Sequence, residues 1–328
     1  MHNMKLASVT CTKDCEDIIE TFVRVNGKFI DYFLIYDDST DRTREILAAL
    51  SREGYKIYFF DGRGRPYHQG AIITELANIA FSSDNLLADF VLPLDVDEFP
   101  IILSRAEIHN RLAAVPQGYA PIYSWETYVC IDSSARNEAT DYLKRAFRRR
   151  MPEGNVHYKI VIPRLFAGRF TVDIGAHALY AHDGLVVPNA MLSFRLGHFP
   201  VRSLDQIFLK NAIAADLMIR KAIRRPGEGF HVFELMALLH APGKNEEEKL
   251  LRLGLEYAND KHSTKSVGEA PQWIESYSLV YSTNNIRSEY VQSALSNLLI
   301  KSWAKPVSLE NSDYFREMTE NLMADLTC

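Results

Sequence analysis

The sequence predicts an α/β fold with a mostly parallel sheet, followed by a mixed strand-rich stretch and a helical C-terminal part. Short apolar runs rich in β-branched and aromatic residues recur along the N-terminal third. Between them stand amphipathic stretches of about 10–15 residues with apolar positions at helical spacing. The runs end in clusters of Asp, Thr and Ser, the residue types that cap helices and occupy turns. Strands that alternate with helices in this way imply a parallel sheet covered on both faces.

Lys5 to Thr10 reads as the first strand. Lys13-Asp14-Cys15-Glu16-Asp17 then leads into a helix marked by Ile18, Ile19, Phe22 and Val23, its acids placed to complement the dipole. Tyr32 to Tyr36 is a strand, Asp37 to Thr43 a capping segment, and Arg44 to Leu50 a helix closed by Gly54. Tyr55 to Phe60 is a third strand, and Asp61-Gly62-Arg63-Gly64-Arg65-Pro66 a basic loop. Gln69 to Phe81 is a helix with Ile72, Ile73, Leu76, Ile79 and Ala80 on one face. Phe90 to Leu94 is short and bounded by Pro100, so it reads as a buried strand. Ser104-Arg105-Ala106-Glu107 is a capping box opening a helix to about Val115.

Beyond this point the texture changes. Ala120 to Ile131 is an aromatic strand carrying Tyr123, Trp125 and Tyr128. Asp132 to Arg150 is polar, and its closing Arg148-Arg149-Arg150 reads as a solvated run. Tyr158 to Ile162, Phe170 to Ile174, Ala178 to Ala181 and Met191 to Leu196 read as strands. Ser203-Leu204-Asp205-Gln206 is a second capping box, followed by Ile207, Phe208, Ile213 and Leu217 at helical spacing. Further helices are expected at 232–240 and 245–257, with a weakly helical tail after about 260.

Composition narrows the function. At 328 residues, 47% hydrophobic and 24% charged, the chain is an ordinary globular one of one large domain or two smaller ones. A net charge of -5 without marked asymmetry argues against a general nucleic-acid surface. No basic leader with an apolar core is present, and no apolar run approaches the roughly 20 residues that span a bilayer. Cys11, Cys15, Cys130 and Cys328 are too scattered for a disulfide framework or a zinc site, so reduced thiols in the cytoplasm are expected.

The chemistry concentrates where strands end. Asp95-Val96-Asp97-Glu98 closes the fourth strand, at the sheet edge where ligands bind. On an extended backbone Asp95 and Asp97 leave the same face, and two carboxylates that close need a proton or a cation between them. Oxygen ligands favour Mg²⁺ or Mn²⁺ shared with substrate phosphates. Thr10 to Asp14 and Asp37 to Asp41 close the first two strands, so all three groups are expected at one crevice, joined by the Asp61 to Arg65 loop. Neither a P-loop nor a dinucleotide fingerprint is present. Arg63 or Arg65 is a candidate phosphate contact.

Three segments in order, Thr12-Lys13-Asp14-Cys15-Glu16, Ile35-Tyr36-Asp37-Asp38-Ser39-Thr40-Asp41-Arg42-Thr43 and Leu92-Pro93-Leu94-Asp95-Val96-Asp97-Glu98-Phe99, resemble a GT-A glycosyltransferase of the family 2 type. The D-x-D-E-F form is also similar to family 92. Lys159 to Pro163, Gly175-Ala176-His177 and Gly197-His198-Phe199-Pro200-Val201-Arg202-Ser203-Leu204-Asp205-Gln206 extend the resemblance over residues 5–210. Asp14 stands where Asn is commoner, and Arg42 where Gly is commoner.

The resemblance implies a GT-A core, Rossmann-like and mostly parallel. Residues 1–115 would be the nucleotide-sugar-binding half, 116–205 a mixed-sheet acceptor region, and 206–328 a helical extension. It implies Mn²⁺ or Mg²⁺ held by Asp95, Asp97 and His198. The nucleotide sugar would be contacted by Thr10, Thr12, Asp14, Asp38 (at the base), Asp41, Arg63, Asp95 and Val96. Asp205, then Glu126, with Asp183 also weighed, are candidates for the base of an inverting transfer. The expected activity moves a sugar from a UDP-sugar to a glycan or lipid-linked acceptor in surface polysaccharide biosynthesis, in the cytoplasm or at the inner face of the membrane. The competing readings are a nucleotidyl- or phosphotransferase on the same acids, and a non-catalytic glycan- or nucleotide-binding module. The competing structural roles are helix caps for Asp38 and Asp41, core histidines for His177 and His198, a first-turn acid for Asp205 and a core residue for Trp125.

Overall fold

The computed structural model of the protein describes residues 4–63, 67–132, 141–153, 157–220, 245–257, 266–275 and 277–282, with the backbone alone at 141 and 215–220. The helix expected at 232–240, most of the expected C-terminal tail, Arg65 and Cys328 lie outside these residues.

The α/β class read from the sequence is observed. β1 (Leu6–Thr12), β2 (Tyr32–Asp37), β3 (Ile57–Asp61) and β4 (Phe90–Pro93) run parallel, and β9 (Ile162–Pro163) joins antiparallel, in the order β3-β2-β1-β4-β9. The register pairs Thr12 with Asp37 and Asp37 with Asp61, so the polar strand ends line one edge. Both faces are covered. Leu6, Phe33, Ile35 and Leu92 pack with α1 (Ile19–Asn26) and α2 (Thr43–Arg52). Ala7, Val9, Leu34 and Val91 pack with α3 (Gln69–Ser82). This two-sided burial is why the strands read as continuous apolar runs.

α3 also abuts β10 (Phe170–Val172), where a Cβ on Gly70 would collide with the Val172 carbonyl. Gly70→Ala is expected to lower stability by about 1–3 kcal/mol, since backbone on both sides must shift. A lower urea midpoint at unchanged m-value would register this.

A second, mixed sheet stands beside the first. It contains β5 (Glu98–Pro100), β6 (Ala120–Cys130), β7 (Phe147–Met151), β13 (Leu196–His198) and β14 (Ser266–Val267), in the order β14-β7-β6-β13-β5. β8 (Tyr158–Ile160) and β12 (Asn189–Met191) also pair with β6. The single strand expected over Met191 to Leu196 is broken, because β12 and β13 pair with different stretches of β6 and the residues between them bulge.

The arginine run is not solvated as the charge pattern suggested. It lies in β7, and Arg150 is 2% exposed. Its guanidinium donates to the carbonyls of Gly254, Leu255 and Tyr257 at 3.2, 3.4 and 2.7 Å, capping the helix Glu246–Glu256. It also ion-pairs with Glu153 at 2.6 Å. Charge pattern alone does not reveal such a set of carbonyl partners, since they lie 104 to 107 positions further along the chain.

Candidate functional site

The D-x-D-E-F segment is a turn between β4 and β5. The Glu98 amide donates to the Asp95 carbonyl at 3.0 Å, and the Asp95 amide to Glu98 Oε2 at 2.8 Å. The backbone is therefore turned here, not extended as the sequence suggested, and the two aspartates take different partners. Lys159 Nζ, from β8, lies 2.8 Å from Asp95 Oδ2 and 3.0 Å from Glu98 Oε2. Asp97 is buried, with Lys210 Nζ 2.9 Å and Arg202 Nη1 3.6 Å from Oδ2, and His198 Nε2 3.8 Å from Oδ1.

These charges set one another. Burial alone would raise the Asp97 carboxyl, but the neighbouring cations, Lys210 foremost, outweigh it and hold it well below the usual range. Burial pushes Glu98 up to about 8. Burial also opposes the Lys159 charge, yet Asp95 and Glu98 outweigh it and keep the ammonium protonated.

α6 (Leu204–Arg220) supplies one wall. Its start is capped: Ser203 Oγ accepts from the Gln206 amide at 3.0 Å, and the Gln206 side chain reaches one residue past the cap, its Oε1 accepting from the Arg202 amide at 2.9 Å. Arg202, Gln206 and Lys210 then share one face at spacings of four. Arg202 is held by Asp17 through two bonds of 2.7 and 3.1 Å. Tyr257, delivered by the helix that Arg150 caps, has its ring centroid 5.4 Å from Lys210 Nζ. Trp125 from β6 lies 4.4 Å from the His198 ring. These residues, with Cys11, Lys13, Asp14, Tyr67, Asp95, Val96 and Asp97, line a cavity of about 330 Å³. That is within the range of about 300–1,000 Å³ for small-molecule sites. A larger groove of about 840 Å³ beside α4 (Arg105–Ala113) lacks such an acid pair, and Glu107 and Arg111 there pair with each other.

The sequence candidates divide accordingly. Asp14, Asp95, Val96, Asp97 and His198 meet at the cavity. Asp38, partly exposed, ion-pairs at 3.0 Å with the cavity residue Lys13. Asp14, at φ 47°, also braces the loop after β2, accepting from the amides of Thr40 and Asp41 at 2.6 and 3.2 Å. Thr10, Thr12, Asp41 and Arg63 are not among the lining residues. Thr10 bonds to Ser8, and Thr12 donates to Asp37 at 2.6 Å. Asp41 accepts from the Glu16 and Thr43 amides, each at 2.9 Å. Arg63 is exposed and pairs with Asp61 at 2.8 Å.

Neither candidate base lines the cavity. Strand alternation that turns Trp125 inward turns Glu126 to the opposite face, where Arg195 and Arg149 hold it at 2.5 and 3.2 Å. Asp205 is exposed in the first turn of α6, one position off the face that carries Gln206. Asp183 accepts from the Leu185 amide in an exposed turn. Sequence reasoning assigned no role to Lys159, Arg202, Lys210 or Tyr257. The available signal was the four-residue spacing of Arg202, Gln206 and Lys210 into and along a helix, and a lone lysine ahead of Ile160-Val161-Ile162.

Among the described residues, no three of His, Cys, Asp and Glu converge on one point as a metal set. Asp95 is drawn to Lys159, which leaves Asp97 and His198. That pair fits a divalent ion. His198 turns Nε2 toward Asp97 Oδ1 at 3.8 Å, and burial pushes the ring down to about 3, so it is neutral and able to ligate through that nitrogen. Mg²⁺ and Mn²⁺ sites commonly take few protein ligands and complete the shell with phosphate oxygens and water.

The same imidazole has a stability signature. The unfolded chain protonates it near 6.5 and the folded chain near 3, so between these values the unfolded state holds the extra proton. Stability is therefore expected to fall as pH drops through that window, by about 1.4 kcal/mol per pH unit for one such group. His198→Gln should make the urea-midpoint profile shallower there.

No family profile matches the chain, and no curated protein sequence matches it. Among solved structures it is similar to TarS 1–349 from S. aureus in complex with UDP, at 12% identity over 72% of this chain and 70% of that one, with a TM-score of 0.33. Glucosyl-3-phosphoglycerate synthase from Mycobacterium tuberculosis, with Mn²⁺, UDP and glucosyl-3-phosphoglycerate, is 14% identical over 69% and 82%, TM-score 0.33. HddC from Yersinia pseudotuberculosis is 9% identical over 58% and 92%, TM-score 0.30. Likenesses this slight assign no activity to the chain.

Proposed function

We propose that the protein is a GT-A glycosyltransferase that binds a nucleotide sugar, a UDP-sugar in the simplest case, and passes the sugar to a glycan or lipid-linked acceptor with inversion, in surface polysaccharide biosynthesis. The observation that carries this reading is the buried Asp97, paired with His198 on one oxygen and Lys210 on the other, at the carboxyl edge of a parallel sheet. Such an edge is where α/β proteins bind their ligands. A buried acid flanked by a neutral imidazole, a fixed arginine and a flexible lysine suits a polyanionic leaving group better than a neutral ligand.

In this reading Asp97 and His198 hold the divalent ion, which when bound acts as a Lewis acid on the leaving diphosphate. Asp95, pinned at Oδ2 by Lys159, offers its other oxygen to a ribose hydroxyl. Asp38, ion-paired with the cavity residue Lys13, would accept from the base. Trp125 and Tyr257 wall the sugar side and exclude water. Among the described residues no helix is long and apolar enough to cross a membrane.

Thermal-shift titration with a panel of nucleotide sugars, with and without Mn²⁺, followed by assay of nucleoside diphosphate release, tests the proposal. A matching donor raises the midpoint in proportion to ln(1 + [L]/Kd). Release of monophosphate or pyrophosphate would point to a nucleotidyltransferase, and binding without release to a non-catalytic module.

A further inference from the structure

We infer that Lys210 is an exchangeable counter-ion. It neutralises Asp97 while the cavity holds no donor, and it turns to the diphosphate when a donor and its divalent ion enter. The inference rests on the proposed function for the ligand's identity; the rest comes from the placement of the charges.

Asp97 presents its two oxygens to different partners. Oδ1 faces His198 at 3.8 Å, and Oδ2 accepts from Lys210 at 2.9 Å. A cation entering on the imidazole side therefore meets Lys210 across a single carboxylate. Two positive centres so close repel by an amount that matters even at an effective dielectric near 20. One of them must yield or acquire a new anion.

Lys210 is the one able to move. Its side chain is 38% exposed along the cavity, against 5% for Asp97. A lysine carries three rotatable donors on a flexible stem. The other cation beside Asp97, Arg202, is 8% exposed and fixed by its two bonds to Asp17 and a third to the Phe199 carbonyl at 3.1 Å. The Tyr257 ring near Lys210 leaves the ammonium a favourable surface as it swings. A diphosphate at the cavity mouth supplies the anion that draws it there.

The consequence is a pair of effects with opposite signs. Lys210 opposes a divalent ion that arrives alone, and it favours the same ion arriving with a diphosphate. Lys210→Met should bind Mn²⁺ alone about tenfold more tightly than the wild type, measured on nucleotide-free protein by calorimetry or by the Mn²⁺ EPR signal. The same variant should bind UDP in the presence of Mn²⁺ about tenfold more weakly or worse. Lys210→Arg, which keeps the charge, should retain most of the UDP affinity. Circular dichroism and a thermal melt verify that both variants fold.

Loss of both affinities together in Lys210→Met would reduce Lys210 to a structural role and overturn the inference, as would unchanged affinities. Wild-type protein that binds no nucleoside diphosphate would sink the proposed function and, with it, the exchange. Wild-type protein that binds UDP no better than Lys210→Met would sink the exchange alone.

Discussion

Asp97→Asn is expected to lower nucleoside diphosphate release from the donor by about 10³-fold or more. The substitution keeps the side chain's volume and one carbonyl oxygen, so packing is conserved while the charge is lost. Among the described residues that charge is the one anionic ligand free to act beside His198, and in the proposed function the Lewis-acid contribution it would anchor is worth several kcal/mol of barrier, a factor of about 10³. The cost to the fold should be smaller. Breaking a buried pair usually costs about 3–5 kcal/mol because a charge is stranded. Here Lys210 already reaches solvent at 38% side-chain exposure, and Arg202 keeps its bonds to Asp17. A loss of about 1–2 kcal/mol is the reasonable expectation for a partly exposed partner. The checks are a coupled assay of diphosphate release and a urea melt run side by side. A variant that keeps more than about a tenth of the wild-type rate would remove Asp97 from the centre of the site.

How much of this was readable in advance follows from the range of the forces involved. Local periodicity gave the strands and helices of the first sheet, because residues such as Phe33 and Leu34 are buried on both faces and leave no ambiguity about an apolar run. The Ser104 and Ser203 capping boxes were legible for the same reason, since partner and cap are three residues apart. The cavity's lining was legible in its acids and in His198. It was not legible in its cations. Lys210 meets Asp97 across 113 positions of chain, and Arg202 meets Asp17 across 185. No spacing rule connects them; only the closure of the second sheet against the first does. The turn at Asp95–Glu98 was missed because period-two reasoning presumes an extended backbone, and the Glu98 side chain accepting from the Asp95 amide bends that backbone. Glu126 was missed in the opposite sense. It looked available beside Trp125, but alternation in β6 aims it at two arginines.

Arg202→Met should produce the largest stability loss of any single substitution near the cavity, about 3–5 kcal/mol. Asp17 and Arg202 have side-chain exposures of 7% and 8%, so neither can recover its hydration when the other is removed. Their geometry is bidentate, which adds direction as well as charge. The pair joins the segment before α1 to the segment that leads into α6 and so fixes the rotation at which Gln206 and Lys210 face the cavity. The loss should therefore appear twice, as a lower urea midpoint and as weaker nucleotide binding in the fraction that remains folded. A double-mutant cycle separates the two partners' contributions. Asp17→Asn alone strands the guanidinium, Arg202→Met alone strands the carboxylate, and the double variant strands neither charge. The double variant should consequently be more stable than either single one predicts by addition, by about 2 kcal/mol or more. Additive losses would mean that the two side chains do not hold each other, and the orientation of α6 would need another cause.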